Sequence, residues 1–124
     1  MGRVRIAFAT NKKKSLKDSI SKVFGRAQTF TVIDAEGERI TELRILDNPA
    51  KTYQQGAGPI AVKMLLDEGV EVVIADKLGV GASELLKQHN IEHISVKSNM
   101  KVGEAIRIVI DKLEERGVSA EARK

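Results

Sequence analysis

Two glycine-rich segments stand where helices are predicted to begin, and their position indicates a binding site most directly. They are Gly56-Ala57-Gly58 and Gly79-Val80-Gly81. Glycine lacks a side chain, so a bound group can come close to the backbone there. A helix N-terminus also presents N–H groups without helical partners and the positive end of the helix dipole. Together these features predict a binding site for an anion.

A basic segment precedes these glycines in the chain. The 124-residue chain has a formal net charge of +4, and six basic residues stand against the single acid Asp18 between Thr10 and Gln28. The six are Lys12, Lys13, Lys14, Lys17, Lys22 and Arg26. This pattern is typical either of a solvated, mobile loop or of a local positive field beside an anion site.

A nucleic-acid-binding module that uses the basic loop 12–26 is the alternative function. A single short lysine run without a recognisable reading helix is a weak footprint for duplex binding. The aromatic content is 3% and the chain has no Trp, which disfavours stacking of single-stranded bases on the surface. Nucleic acid is therefore the less favoured partner.

Several kinds of catalytic and metal site are disfavoured by residue type. The chain has no Cys, which excludes disulfides, thiolate-held zinc and a cysteine-bound iron–sulfur cluster. The first predicted strand, Arg3–Ala9, contains no acid, whereas a two-metal nuclease or phosphoryl-transfer enzyme needs clustered carboxylates. His89 and His93 are interpreted as surface residues at the far end of the sheet. We expect neither catalytic residues nor metal ligands.

A dinucleotide fingerprint is a further alternative at the first glycine segment. The run Gly56–Ala61 matches G-x-G-x-x-[G/A], and Asp76 follows Gly56 by 20 residues. A true fingerprint follows a strand directly, whereas this one follows the polar loop Asp47–Gln55. No Gly-Lys-Ser/Thr sequence is present, so a P-loop is absent as well.

Hydrophobic periodicity predicts five strands and three helices in the order β-β-β-α-β-α-β-α. The helices are expected from Pro59 to Gly69, over Ala82–His89, and from Val102 to Leu113, with Ser98 and Asn99 capping the last one. The five strands are Arg3–Ala9, Thr29–Asp34, Arg39–Leu46, Glu71–Ala75 and Glu92–Val96.

This order predicts an α/β fold in which a mixed five-stranded sheet lies between helices, a three-layer α/β/α sandwich with a ribonuclease-H-like motif. The hairpin of the second and third strands is expected at an edge of the sheet because its outer face is charged. We expect one domain over residues 1–116 and a flexible C-terminal tail over 117–124. No segment is long and apolar enough to span a membrane, and a cytoplasmic location is expected.

Ligands of open α/β sheets bind beyond the carboxyl ends of the parallel strands, and the candidate binding residues lie in the loops predicted there. Five glycines would admit a ligand to the backbone: Gly25, Gly56, Gly58, Gly79 and Gly81. Arg26 and Lys77 would neutralise negative charge, and Thr10, Asn11 and Ser98 would supply side-chain hydrogen bonds. Phe24 and Ala57 complete the set, because Phe24 precedes Gly25 and Ala57 lies between Gly56 and Gly58.

Four segments of the chain resemble the dinitrogenase iron–molybdenum cofactor biosynthesis family over roughly Arg3 to Glu115. The segments are Arg5-Ile6-Ala7-Phe8-Ala9-Thr10, Val23-Phe24-Gly25-Arg26-Ala27-Gln28-Thr29-Phe30, Gly56-Ala57-Gly58-Pro59 and Gly69-Val70-Glu71-Val72-Val73-Ile74-Ala75. The resemblance implies a ribonuclease-H-like fold and a non-catalytic carrier of an anionic iron–sulfur or molybdenum-containing sulfide cluster. It also implies a cluster-assembly or acceptor protein as the partner.

One position departs from the pattern of this family. Members that carry the cofactor often have a His just before the Phe-Gly pair, and this chain has Val23 there. The resemblance therefore implies a cluster held by backbone N–H groups, helix dipoles and cations, without a thiolate.

Overall fold

The computed structural model describes residues 3–116, so the predicted tail over 117–124 lies outside the described residues. Within that range no helix has the length and apolar character needed to cross a membrane. The strands are β1 (Val4–Thr10), β2 (Thr29–Glu36), β3 (Arg39–Asp47), β4 (Val72–Ala75) and β5 (Glu92–Ser95). The helices are α1 (Ala57–Asp67), α2 (Val80–Gln88) and α3 (Val102–Glu115).

The five strands form one mixed sheet in the order β3-β2-β1-β4-β5. β1 pairs antiparallel with β2 and parallel with β4, and Ile6 is paired with Ile33 on one side and Val72 on the other. β3 lies at the outer edge, as predicted from its charged residues. The predicted mixed five-stranded α/β sheet is confirmed, while the ribonuclease-H-like assignment and the single domain stay predictions.

Helices cover both faces of the sheet. On one face, Ile6, Phe8 and Ile74 pack with the apolar stripe of α3. On the other face, Ala7 and Val73 pack with buried residues of α1 and α2. Because side chains alternate along a strand, neighbouring residues of β1 contribute to opposite layers, which explains why this central strand is apolar almost throughout.

The first two helices begin earlier in the chain than the sequence predicts. α1 begins at Ala57 and α2 at Val80, each two residues earlier than expected. Pro59 thus lies in the first turn of α1, where its missing N–H leaves no helical hydrogen bond unmade. The predicted caps of α3 are wrong, because its N-cap is Lys101 without a side-chain cap. The backbone N–H of Ser98 instead donates to the carboxylate of Asp76 at 3.0 Å.

The basic segment between β1 and β2 is connected to the rest of the molecule by backbone contacts. Isolated bridges connect Ile20 with Thr10 and Val23 with Lys77. The Ile20 N–H donates to the Met100 carbonyl at 2.9 Å, which links the segment to the start of α3. The lysine side chains therefore extend from a backbone that is hydrogen-bonded to the rest of the protein.

The buried side chain of Asp18 holds the backbone of the lysine-rich segment by hydrogen bonds. Its carboxylate is buried and accepts the backbone N–H groups of Lys12 at 3.1 Å, Lys14 at 3.3 Å and Ser19 at 2.8 Å. An acceptor shared by several backbone donors fixes a turn that has no regular ladder to hold it. The one acid of this segment is thus used for structure.

An ion pair joins three elements at the opposite end of the sheet. Arg5 donates to both carboxylate oxygens of Asp34, at 2.7 and 3.0 Å, and to the Glu68 carbonyl at the end of α1 at 2.6 Å. Asp34 is buried. The hydrogen bonds from Arg5 lower the pKa of Asp34 below its ordinary value, against the opposing effect of burial.

We predict that Asp18→Ala loosens the basic segment. The substitution leaves three backbone N–H groups without their acceptor, and such a loss costs about 1–3 kcal/mol of unfolding free energy where the donors stay dry. Chemical denaturation should show the loss, and amide hydrogen exchange should accelerate over residues 12–19. Asp47→Ala is the matched control, since the exposed Asp47 pairs only with the exposed Lys13 side chain among the described residues. Equal exchange in both variants would contradict this role of Asp18.

We predict that Asp34→Asn lowers stability at neutral pH by about 2 kcal/mol, since a charge-assisted hydrogen bond contributes about 1.5–3 kcal/mol. The depressed pKa means that this stabilisation is fully present above the unfolded pKa of Asp, about 3.9, and is lost as pH falls further. Denaturation series between pH 7 and pH 2 should therefore show the wild type and the variant converging in acid. A difference that stays constant with pH would refute the assignment.

Candidate functional site

All three helices begin at the same end of the sheet. β1, β4 and β5 run parallel, and each helix of the strand–helix units returns antiparallel to them. The N-termini of α1, α2 and α3 therefore lie at the carboxyl ends of these strands, where the sequence places the site. Neither α1 nor α2 has a side-chain cap, so their positive ends stay available to a ligand.

The centre of this end is a close backbone contact between the basic segment and α1. A Cβ placed on Gly25 would lie 2.7 Å from the N of Gly58 and 3.1 Å from the carbonyl carbon of Ala57. No real side chain fits at that distance, so only glycine permits the approach. Gly25 thus brings the segment carrying Arg26 against the first turn of α1.

The glycines of α1 and α2 bring the two helix starts together. A Cβ on Gly58 would lie 3.1 Å from the Cβ of Ala82, and one on Gly81 would lie 3.6 Å from the Pro59 ring. Gly25 and Gly58 are therefore explained by packing within the protein, whereas a Cβ on Gly81 would make only an ordinary van der Waals contact. Gly56 and Gly79 differ, because a Cβ at either would meet nothing within 4 Å, so these two N-cap positions face open space.

Asn48 holds the glycine segment in place and was not among the predicted site residues. Its side chain is buried and donates to the carbonyls of Gly25 at 2.9 Å and Ala27 at 2.8 Å, while its Oδ1 accepts the Ala50 N–H at 3.0 Å. In the sequence, Asn48 stands out only as part of the polar loop Asp47–Gln55. An amide can bridge two carbonyls, but only the fold brings those carbonyls within its reach.

Basic side chains surround the helix starts. In the segments 11–28, 48–56, 76–79 and 96–101, ten Lys and Arg residues are exposed. They are Lys12, Lys13, Lys14, Lys17, Lys22, Arg26, Lys51, Lys77, Lys97 and Lys101. Such a concentration raises the local positive potential and attracts anions.

The predicted hydrogen-bonding residues are largely engaged within the protein. The Thr10 hydroxyl is fully buried and contacts the hydroxyls of Thr29 at 2.6 Å and Thr31 at 3.1 Å. The Asn11 amide donates to Ser19 Oγ at 2.9 Å. Phe24 is buried with its ring centroid 5.3 Å from that of Phe30. The side chains of these three residues therefore make contacts within the protein.

Ser98 and Asp76 form a separate polar pair on the α3 side of this end. The Ser98 N–H donates to Asp76 Oδ2, and this hydrogen bond lowers the pKa of the Asp76 carboxyl below its ordinary value. Asp76 therefore stays charged at neutral pH, next to Lys77. Ser98 thus orients an acid of the β4–α2 loop.

His93 lies elsewhere than the sequence indicates. Its ring contacts the carbonyl of Ala75 at the end of β4, with Nε2 3.3 Å from the oxygen. It lines a cavity of about 470 Å³ together with residues of the α2 start, such as Gly79 and Val80. Burial lowers the pKa of the imidazole below its ordinary value. The interpretation of His93 as a surface residue at the far end is wrong, whereas His89 is exposed as expected.

Comparisons with known proteins identify the group to which this arrangement belongs. The family model for the dinitrogenase iron-molybdenum cofactor matches residues 2–112. An uncharacterised protein of Methanocaldococcus jannaschii is 26% identical over 96 residues, which cover 77% of this chain and 80% of that relative.

Solved structures show the same fold. The apo form of the orange protein from Desulfovibrio gigas superposes with a TM-score of 0.79 at 28% identity, covering 87% of this chain and 88% of that one. A NifB-like protein of Thermotoga gives a TM-score of 0.69 at 28% identity, with 95% and 90% covered. The family match spans nearly the whole chain and confirms the resemblance seen in the sequence motifs: the protein belongs to the dinitrogenase iron-molybdenum cofactor family.

Proposed function

We propose that this protein is a non-catalytic carrier for an anionic metal–sulfur cluster or a precursor of such a cofactor. The observation that carries the proposal is the contact of the Gly25 segment with two adjacent, uncapped helix N-termini, with exposed basic side chains in the adjoining loops. Membership of a cofactor-related family supports the same conclusion. The cluster is the cargo of the protein, and its delivery needs no bond-making residue.

The chemistry of the site suits a sulfide-rich anion. Gly56 and Gly79 leave space beside the first N–H groups of α1 and α2, and backbone N–H groups donate to sulfur and oxygen atoms alike. The exposed side chains of Arg26 and Lys77 supply compensating charge. In this arrangement the cargo is held by several weak contacts, so it can be taken up and released.

Direct ligation of the cluster metal is not part of the proposal. The chain has no Cys, and the position before Phe24 is the aliphatic Val23, whose side chain is 42% exposed beside the Lys77 bridge. We propose that Val23 offers an apolar contact only. A cluster-assembly or acceptor protein, encountered in the cytoplasm, would supply the cargo or receive it.

The alternative function is nucleic-acid binding through the basic segment 12–26. The same exposed lysines favour it, since phosphate contacts account for most sequence-independent affinity. Filter binding of RNA across a salt series separates the two functions. Micromolar affinity with a steep fall as salt rises would favour nucleic acid and count against the carrier.

Anaerobic titration with tetrathiomolybdate, a small anionic metal sulfide, tests the carrier directly. We expect the visible chromophore to co-elute with the protein on gel filtration, and a preformed iron–sulfur precursor should behave alike. Absence of any bound chromophore with both probes would refute the proposed function.

We predict that Arg26→Ala and Lys77→Ala each weaken thiomolybdate binding about fivefold, since an exposed ion pair contributes up to about 1 kcal/mol. Added salt should shrink both effects because exposed charges are screened. Lys63→Ala and Lys87→Ala are the matched controls, exposed on α1 and α2 away from the helix starts. Equal losses in all four variants would show that overall charge, and not this site, holds the anion.

We predict that Gly79→Ala weakens binding of the same probe without loss of fold. Gly79 has φ −76°, ordinary for any residue, and a Cβ there meets nothing in the protein. The added methyl group would occupy the space proposed for the ligand. Thermal unfolding should stay close to that of the wild type while thiomolybdate affinity falls. Unchanged affinity would exclude Gly79 as a point of ligand approach.

A further inference from the structure

The outer edge of β3 is the longest unpaired strand edge of the sheet. β3 has nine residues, whereas the opposite edge strand β5 has four, and within residues 3–116 no strand pairs with the outer edge of either. None of the nine residues of β3 is buried. An edge strand directs alternate backbone N–H and C=O groups away from the sheet, where a further strand can pair with them. β3 therefore offers a hydrogen-bonding edge to a partner.

On the α3 side of this edge, apolar side chains are only partly covered. Leu43 is paired with Ile33, which belongs to the core under α3, so Leu43 and Ile45 share that side of β3, and both are half-buried. A groove of about 650 Å³ beside them is lined by Ile40 and by Ile110 of α3. The lining also includes the charged residues Glu38, Arg107 and Asp111. Because α3 does not cover this margin of the sheet fully, a partner strand can bury more of its apolar surface.

The charges of β3 are arranged so that the strand complements a second copy of itself. About Leu43, Glu42 and Arg44 lie one residue away on either side, and Arg39 and Asp47 lie four residues away. Antiparallel pairing of two copies about Leu43 therefore places Glu42 of each chain opposite Arg44 of the other. It also brings Arg39 of each chain to the strand end that holds Asp47 of the other. Opposite charges that face each other across strands are stabilising, and like charges are destabilising.

Glu42 and Arg44 decide the alignment of the two strands. Their side chains are 50% and 36% exposed, and within one chain they are joined at 3.3 Å. Pairing about either residue would place it opposite its own copy, a destabilising contact of like charges. Pairing about Ile45 would place Arg44 opposite the apolar Leu46. Of these alignments, only pairing about Leu43 gives both residues an opposite charge to face.

We propose that this protein forms a symmetric dimer in which the β3 strands of two copies pair antiparallel about Leu43. The pairing joins the two five-stranded sheets into one continuous sheet, with the same edge used by both copies. Because antiparallel pairing reverses the strand directions of the second copy, the helix N-termini of the two copies lie at opposite ends. Both anion sites stay open, and the dimer does not depend on the carrier proposal.

A bulge in β3 limits the strength of this dimer. Thr41 has no partner residue on β2, since Asp34 is paired with Glu42 and Ala35 with Ile40. A bulge bends an edge strand and interrupts its regular hydrogen-bond ladder. We therefore expect a dimer that forms at high micromolar concentration and dissociates on dilution.

Sedimentation velocity from micromolar to millimolar concentration tests the dimer, together with charge-reversed variants. We expect wild-type protein to shift from monomer toward dimer. Glu42→Arg and Arg44→Glu should each weaken dimerisation at least tenfold, because both facing pairs then carry like charges. An equimolar mixture of the two variants should recover the dimer, since each Arg of one chain then faces a Glu of the other.

Three results would overturn the proposal. The first is a wild type that stays monomeric at millimolar concentration, which would leave the edge of β3 to a strand of another protein. The second is a dimer that both charge-reversed variants retain. The third is a mixture of two folded variants that stays monomeric.

Disulfide trapping decides the alignment even if a charge-reversed variant fails to fold. The chain has no Cys, so a single introduced Cys reports on one position. Facing residues of antiparallel strands have Cα atoms about 4.5–5.5 Å apart, a separation that a disulfide can bridge. We expect Leu43→Cys to give covalent dimers on mild oxidation. The matched control Asp47→Cys should give few, because its two copies lie at opposite ends of the paired strands. Equal trapping in both variants, or none in Leu43→Cys, would overturn the pairing about Leu43.

Discussion

The close contact of Gly25 with the first turn of α1 is the constraint on which the candidate site depends. Because a Cβ at Gly25 would meet backbone atoms of Gly58 at 2.7 Å, the basic segment can lie directly against a helix N-terminus only with glycine there. Gly58 in turn admits Ala82, so the start of α2 packs beside that of α1. The N-termini of two helices and a basic segment therefore lie together at one region of the surface. None of the three elements could form this candidate anion site alone.

Buried polar side chains hold the basic segment against the helix N-termini, while its Lys and Arg side chains stay exposed. Asp18 satisfies backbone N–H groups of the lysine run, and Asn48 holds the carbonyls on either side of Arg26. Both use their hydrogen bonds inside the protein, while the neighbouring Lys and Arg side chains are exposed and Lys13 pairs with Asp47. In the proposed carrier, rigidity comes from these internal acceptors and donors, and affinity comes from exposed cations and helix ends. Such a division permits an anion to bind and leave without disturbing the fold.

The two sides of the α2 start have different surroundings. Toward α1 it packs closely through Ala82 against Gly58, whereas toward β5 it lines an open cavity together with His93. The start of α2 can be predicted from the sequence because Gly79-Val80-Gly81 is a local signal. The contact of the His93 ring with the Ala75 carbonyl cannot, since the position of His93 along β5 does not give the direction of its side chain.

Periodicity, local charge and motifs were enough to predict the strand and helix order, the edge position of β3, the family and the basic character of one end of the sheet. Only the distances in the folded protein show that Gly25 and Gly58 are packing positions, that Thr10 and Asn11 bond inside the protein, and that Asn48 holds the glycine segment. Each depends on atoms more than seven residues away along the chain. A glycine required by a neighbouring backbone and a glycine that faces open space look alike in a sequence, and only the distances between the folded segments tell them apart.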